Sequence, residues 1–440
     1  MGNFTQLPAE LQIQIFDYLH APDVKSARAV SRTFRNNATP ALFRSIVACA
    51  RYQALGAFQN VSLHSIYSGY VREIIFDGTL YDGHLAKDHR NYSRAEEVSG
   101  KFQSGSFYAM RTRWKRYQEL HKEQESMKED GVLLQSCARG LENMQNISSI
   151  VYSPYQHTIP MEVKALRDLL PRGALPGALT DNRTTDSDHP FRQLIGAVFL
   201  SNYTGIRQLT IEAPREDHRR TEFSLNMFTF PDTNDLSAGR HLFRNLVKLD
   251  ISLSVLNIPS QTTPPTAEID SPERQLENLT KVLEAAQELR HLSFGILNWR
   301  YLNEHPEGKS IADFIGLGAT WPKLRSLKLE GIYARERDLC ELIDRHKDTL
   351  RTLTFARSTL HAGLWIEVVN EVVFNASMIT TFVLDQVDEN HGGYGTSTNG
   401  SLEGYEGRLI VTEGGEREFV NTNPDKLSVH DARDNPANPA

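Results

Sequence analysis

The sequence predicts an α/β protein, in which three short amino-terminal helices precede an irregular solenoid of alternating strands and helices. Three observations lead there. The stretch from Leu7 to Val47 has helical periodicity with caps and prolines at helix starts, a six-residue strand pattern then recurs eight times, and amphipathic helical segments fill several of the intervals. A length of 440 residues allows roughly two to four folding units. With 40% hydrophobic and 23% charged residues the chain can build sizeable cores, which excludes wholesale disorder. A formal net charge of -7 lacks the basic excess of a dedicated nucleic-acid binder.

The helical start is legible in its spacing. Pro8 stands at a first helical position, where its fixed φ and missing N–H do no harm. Leu11, Ile15 and Leu19 recur one turn apart as an apolar stripe that Phe16 widens. Ala21-Pro22 is expected to stop that helix and Asp23 to cap a second, in which Val24, Ala27, Val30 and Phe34 lie three or four apart. Thr39-Pro40 signals a third start ahead of Leu42, Phe43 and Ile46. A unit of about 40 residues is marginal on its own core without a metal or disulfide. Its apolar residues must therefore dock on the rest of the chain or on another protein.

These residues resemble an F-box. Leu7-Pro8-Ala9-Glu10-Leu11, Ile15-Phe16-Asp17-Tyr18-Leu19, Val30-Ser31-Arg32-Thr33-Phe34-Arg35 and Pro40-Ala41-Leu42-Phe43-Arg44 follow the order and spacing of that family. The resemblance covers about a tenth of the chain. It implies docking on the Skp adaptor and, through it, on a cullin scaffold with a ubiquitin-loading RING subunit. Carried over residue by residue, the partner-binding positions are Leu7, Pro8, Leu11, Ile15, Leu19, Val30 and Ser31. Phe34 stands where many members have tryptophan or another aromatic residue.

The strand pattern has an apolar residue, two variable ones, an apolar one, one variable and a last apolar one. It opens at Val71, Ile147, Ile206, Leu246, Leu289, Leu324, Leu350 and Ile379. Alternation over its last three positions fits a half-buried strand. Helical segments Pro272–Ala286, Ile311–Leu317 and Glu336–Asp344 precede three of these hexads. Strand plus helix, repeated, resembles a leucine-rich-repeat-like solenoid. Its spacing is degenerate, and only the last four or five units approach the roughly 20–29 residues of a regular repeat. A different α/β domain with parallel strands is the alternative. The expected organisation is an F-box over 1–47, the solenoid over 48–387 with a helical insertion at about 106–130, and a Gly-rich, largely disordered tail over 388–440. Within that tail, Arg408–Thr412 and Arg417–Val420 are expected to pair as a hairpin.

The insertion places Arg111, Arg113, Lys115 and Arg116 around Trp114, a combination that suits nucleic acid or a membrane surface. Glu119, Glu123, Glu125 and Glu129 nearly cancel that charge, so a solvated surface helix is expected. The segments Pro171–Pro190 and Pro259–Pro272 read as exposed loops.

No catalytic constellation is legible. Gly308-Lys309-Ser310 lacks the first glycine of a phosphate loop, and Gly393-Tyr394-Gly395 lacks a third glycine, Thr398 standing there. No two histidines have metal-ligand spacing beside an acid. Cys49, Cys137 and Cys340 are too far apart for a disulfide framework, and Cys340 is expected in the core. No catalytic residue, cofactor or metal is therefore expected. With no apolar run of about 18 residues and no signal core, the expectation is a soluble protein of the cytoplasm and/or nucleus, with neither nucleic acid nor membrane as partner.

The combined reading is a non-catalytic substrate-recognition adaptor of a Skp–cullin–F-box ubiquitin ligase, similar in style to divergent fungal F-box proteins. A protein substrate, unidentified, would meet variable strand positions on one face of the solenoid. Lys248, Asp250, His291, Lys328 and Glu330 are the foremost candidates. The alternatives are a Skp-binding scaffold outside any ligase, or an enzyme whose site is assembled from distant residues.

Overall fold

The computed structural model describes residues 7–78, 80–81, 83–98, 107–153, 189–212, 223, 225–254, 272–297, 319–389, 405–411 and 417–421. The loops expected at Pro171–Pro190 and Pro259–Pro272 lie, but for their closing residues, outside this set. So do the helix expected over Ile311–Leu317, both glycine-containing near misses, and most of the expected tail. Two compact units divide the chain, Met1–Thr221 and Glu222–Ala440.

The first unit opens with α1 (Ala9–Asp17), α2 (Ala21–Val30) and α3 (Arg32–Phe43). Three helices form, with boundaries that differ from the expected ones. Ala21-Pro22 starts α2 rather than ending α1, because Pro22 sits in a first turn that needs no N–H. Ser31 interrupts the helix expected to run through Phe34. Its extended backbone ends α2, and its Oγ accepts the Phe34 N–H at 3.1 Å to cap α3. Pro40 lies inside α3, not at a helix start, and the Thr39 hydroxyl donates to the Arg35 carbonyl in the same turn.

The chain then enters a parallel sheet directly. Strand β1 (Ser45–Cys49) pairs with β2 (Glu73–Asp77), β2 with β3 (Ser149–Ser153) and β3 with β4 (Gln208–Ile211). Parallel neighbours need crossovers. Helix α4 (Tyr52–Leu63) makes the first, and α5 (Gly83–Lys87), α6 (His89–Val98), α7 (Phe107–Glu129) and α8 (Val132–Asn143) fill the second. Helix α9 (Pro190–Leu200) packs against α8, which packs against α4. Gly140 permits that last approach, since a Cβ there would lie 2.2 Å from the Phe58 ring. The inserted α7 is not a purely solvated helix. Tyr117 and Leu120 on one face join Tyr81, Leu85 and Tyr92 in a buried cluster.

The second unit contains α10 (Thr233–Phe243), β5 (Lys248–Ser254), α11 (Pro272–Ala285), β6 (His291–Leu297) and β7 (Ser326–Glu330). It continues through β8 (Tyr333–Arg335), α12 (Glu336–His346), β9 (Thr352–Ala356), β10 (Thr359–Ala362), α13 (Trp365–Asn370) and β11 (Thr381–Glu389). Strands β5, β6, β7, β9 and β11 pair in parallel in that order. The expected hairpin forms, as β12 (Tyr405–Val411) and β13 (Arg417–Asn421), and β12 adds antiparallel to β11. The Arg417 guanidinium fastens it by donating to the carbonyls of Val372, Val373 and Ile379.

Every one of the eight hexads leads into a strand, and each strand begins at the hexad's third residue. The first, fourth and sixth positions are all buried, from Val71, Ile74 and Phe76 to Ile379, Phe382 and Leu384, none more than 4% exposed. The backbone repeats as well. The Arg290 carbonyl accepts the N–H groups of Arg325 and Ser326, and the Arg325 carbonyl those of Arg351 and Thr352.

A second short ladder was not legible in the pattern. After β7, β9 and β11's first half, the chain turns at Gly331, Arg357 and Gln386, whose φ values are 65°, 47° and 53°. Beyond each turn β8, β10 and the end of β11 pair in parallel. The left-handed conformation is free for Gly331 and costs roughly 1–2 kcal/mol for a side-chain-bearing residue such as Arg357 or Gln386.

Candidate functional site

The amino-terminal helices invert the usual pattern of an amphipathic helix. On α1 the buried residues are Gln12 and Phe16. Phe16 meets Val24, Ala38, Ala27, Phe34 and Leu42, with the Phe16 and Phe34 rings edge-to-face at 5.7 Å. Gln12 is satisfied inside, accepting from Asn37 Nδ2 at 3.0 Å and donating to the Leu7 carbonyl at 2.8 Å. The more apolar stripe faces outward, with Leu11 45%, Ile15 39% and Leu19 40% exposed. Val30 at 68% extends it in kind, and so does Tyr18 at 90%. Burying a whole aliphatic side chain stabilises by about 1.5–3 kcal/mol, so each of these residues retains about 1 kcal/mol for a partner.

The other expected partner-binding residues divide by role. Leu7 is half-buried and gives its carbonyl to Gln12, and Pro8 is exposed at the start of α1. Ser31 is exposed, and its hydroxyl serves as the α3 cap. The helices are tied to the rest of the first unit by β1 and by Phe43, which stacks on Tyr67 at 4.1 Å.

A second surface lies on the sheet face opposite the buried hexad positions in the second unit. Lys248 stands beside His291 across β5 and β6. In the next row Asp250 pairs with Ser293, Ser293 with Lys328, Lys328 with Thr354 and Thr354 with Val383. All five expected substrate-binding residues share this face, and Lys328 and Glu330 form an ion pair on it, with Nζ 2.7 Å from the carboxylate. Arg357 closes on the same carboxylate from the neighbouring strand end. Lys328, Glu330 and Arg357 line a cavity of about 610 Å³ together with Asp385, Gln386, Glu406 and Arg408. Arg357, Gln386, Glu406 and Arg408 were missed by sequence reasoning, because turn residues and the hairpin carry no hexad signature.

Other candidates offer less. Trp114 is not free to stack on a base. Its indole N–H donates to the Leu85 carbonyl at 2.9 Å, and its ring meets His89 edge-on at 5.1 Å. Cys340 is only half-buried, contrary to expectation, because it lies at the edge of the α12 face that buries Leu339, Leu342, Ile343 and His346. Burial first, then Glu336, Glu371 and Glu367, pushes its thiol up to about 12. A thiol held there is not a ready nucleophile. Among the described residues no group of three or more His, Cys, Asp or Glu side chains is placed to hold a metal ion. Likewise, no helix among them is long and apolar enough to cross a membrane.

A protein-family model described as F-box-like matches residues 4–48. Residues 4–48 form an F-box-like domain. That span takes in all three helices and the first strand residues, including the outward stripe of α1. No curated protein matches the chain.

Proposed function

We propose that the chain is a substrate-recognition adaptor of a Skp–cullin–F-box ubiquitin ligase. Residues 1–47 would dock on the Skp adaptor, and 48–387 would act as an irregular leucine-rich-repeat-like solenoid presenting a protein substrate. Residues 388–440 would extend that body as far as the hairpin. The observation that carries this reading is the outward apolar stripe of Leu11, Ile15 and Leu19 within an F-box-like match. The recurrence of one buried hexad and one shared-carbonyl link supports the repeat reading. The Skp-facing set is Leu11, Ile15, Leu19 and Val30, with Leu7 and Pro8 holding the start of α1 and Ser31 shaping the α2–α3 junction.

In this role the chain performs no bond chemistry. It holds a substrate lysine near a ubiquitin carrier on the cullin scaffold, raising its effective concentration. Isolation of the tagged full-length chain from cells tests the assembly. The Skp adaptor and a cullin should co-purify, and a bound client should accumulate when the chain is depleted. Skp adaptor without cullin would favour a scaffold outside a ligase, and neither would reject the proposal.

A further inference from the structure

We propose that the edge of the second unit's sheet where its strands begin, built on Arg290, Arg325 and Arg351, is a docking surface for an acidic segment of the protein substrate. This rests on the adaptor reading and names the chemistry of the substrate it would take.

The second hexad position is arginine on three neighbouring strands, β6, β7 and β9. Their register is fixed by the shared-carbonyl links. The Arg290 carbonyl accepts the Arg325 N–H, the Arg325 carbonyl that of Arg351, and the Arg351 carbonyl that of Thr380. The three residues therefore stand in one row, about 4.8 Å from strand to strand. Arg290 and Arg325 are exposed and Arg351 is half-buried. None of the three has an ion pair among the described residues. The side chains of Arg290 and Arg325 make no hydrogen bond there, and Arg351 reaches only the Leu350 carbonyl, at 3.3 Å.

Arginines at the same hexad position in the first unit are used differently. Arg72 donates to the Gly69 carbonyl at 3.0 Å and Arg207 to the Thr204 carbonyl at 2.8 Å, each folding back on the turn before its strand. They form no row either, because Ser148 holds that position on the strand between them.

The surroundings leave the row of the second unit positive. Positions two and three of its five hexads, Val247-Lys248, Arg290-His291, Arg325-Ser326, Arg351-Thr352 and Thr380-Thr381, hold four cations and no acid. Nearby acids serve other cations, Glu288 holding Lys323 at 2.6 Å and Asp344 holding Lys347 at 2.8 Å. Lys347 is held above its ordinary pKa by Asp344 and, after it, by Asp348. The next row along the strands adds one acid, Asp250, and one cation, Lys328. Like charges on neighbouring strands are unfavourable, and an anionic partner laid along them relieves that.

Spacing and composition select the partner. An extended peptide repeats its side chains on one face about every 6.8 Å, and the row spans about 10 Å. Acidic residues at i and i+2 would thus each fall between two arginine positions, where charge-assisted hydrogen bonds are strong. Nucleic acid fits less well. The ten strand-opening positions hold no Phe, Tyr or Trp to stack a base, and the formal net charge of the chain is -7.

The test is selection of a displayed random twelve-residue peptide library on the immobilised full chain, with counter-selection on Arg290→Gln/Arg325→Gln/Arg351→Gln. The row is linked through main-chain carbonyls, so the variant should keep its melting temperature. Peptides with acidic residues two apart should be enriched on the unsubstituted chain. The leading one, synthesised and fluorescently labelled, should bind the triple variant about tenfold more weakly or worse. Its binding to the unsubstituted chain should also weaken as salt is raised, a readout that needs no variant. Enrichment of no peptide or of basic ones, equal binding to both proteins, or salt-insensitive binding would overturn the proposal. So would equally tight binding of double-stranded DNA or phosphatidylserine vesicles, which would make the row a general polyanion surface. Acidic peptides held by a chain that fails to capture the Skp adaptor would uphold the surface and count against the adaptor reading alone.

Discussion

The amino-terminal helices and the strands of the second unit treat the same residue types in opposite ways. In the strands, each leucine or phenylalanine of a hexad is buried and the polar residues between them face outward. On α1 a glutamine is inside with its amide satisfied, while Leu11 and Ile15 one turn apart, and Leu19 just past the helix end, are left in water. The strands are finished by their own neighbours on either side. The helices are finished on one side only, by a core of Phe16, Val24 and Ala38, and leave the other open. Exposed aliphatic residues scattered singly need no explanation, but a helical stripe of them beside a buried polar residue does.

The comparison makes graded claims about stability. Phe355→Ala, at the last hexad position of β9, should destabilise the protein by about 3–5 kcal/mol in thermal or chemical unfolding. Gly140→Leu should cost about 1–3 kcal/mol by forcing α4 from α8, since the Phe58 ring already occupies the space. Ser31→Ala removes the α3 cap and should cost about 1 kcal/mol, whereas Ser31→Asn should largely preserve it.

A smaller effect attaches to pH at His346. Its Nε2 accepts the Trp321 backbone N–H at 3.0 Å, and its Nδ1 lies 2.9 Å from the Leu342 carbonyl, which fixes the neutral tautomer with the proton on Nδ1. Burial holds this histidine below its ordinary value of 6.5. The unfolded chain therefore takes up the proton first, so stability present above pH 6.5 is lost as pH falls toward the folded value. His346→Gln should flatten that part of the melting-temperature profile. At the bottom of the scale, Leu11→Ala/Ile15→Ala should change stability by less than about 0.5 kcal/mol, as surface substitutions do. A loss of several kcal/mol there would mean that the stripe is core and would erase the contrast between the regions.

Much of this was legible in the sequence, for physical reasons that also mark its limits. The hexads could be read because a strand buried on one face must alternate, and the first hexad position adds a third buried anchor. Strand β1 escaped because its own hexad, Phe43 to Ala48, ends in a small alanine, and Leu42, Phe43 and Ile46 also carry helical spacing. The turn at Ser31 escaped because Val30 and Phe34 keep helical spacing across it, and only the backbone shows that Ser31 is a cap. Arg357 and Gln386 hide left-handed turns that only a glycine would have announced. The orientation of α1 could not be read at all. Gln12 and Leu11 are adjacent, and which of them is inside depends on Asn37, 25 residues away.

The most direct test is the affinity of the purified full chain for the Skp adaptor, measured for the unsubstituted protein and for Leu11→Asp/Ile15→Asp. A charge placed in an apolar contact costs several kcal/mol unless it stays exposed. The predicted result is a stable complex that the double substitution abolishes, while the free protein unfolds at an unchanged temperature. Equal binding by both proteins, or no complex with the well-folded unsubstituted chain, would contradict it.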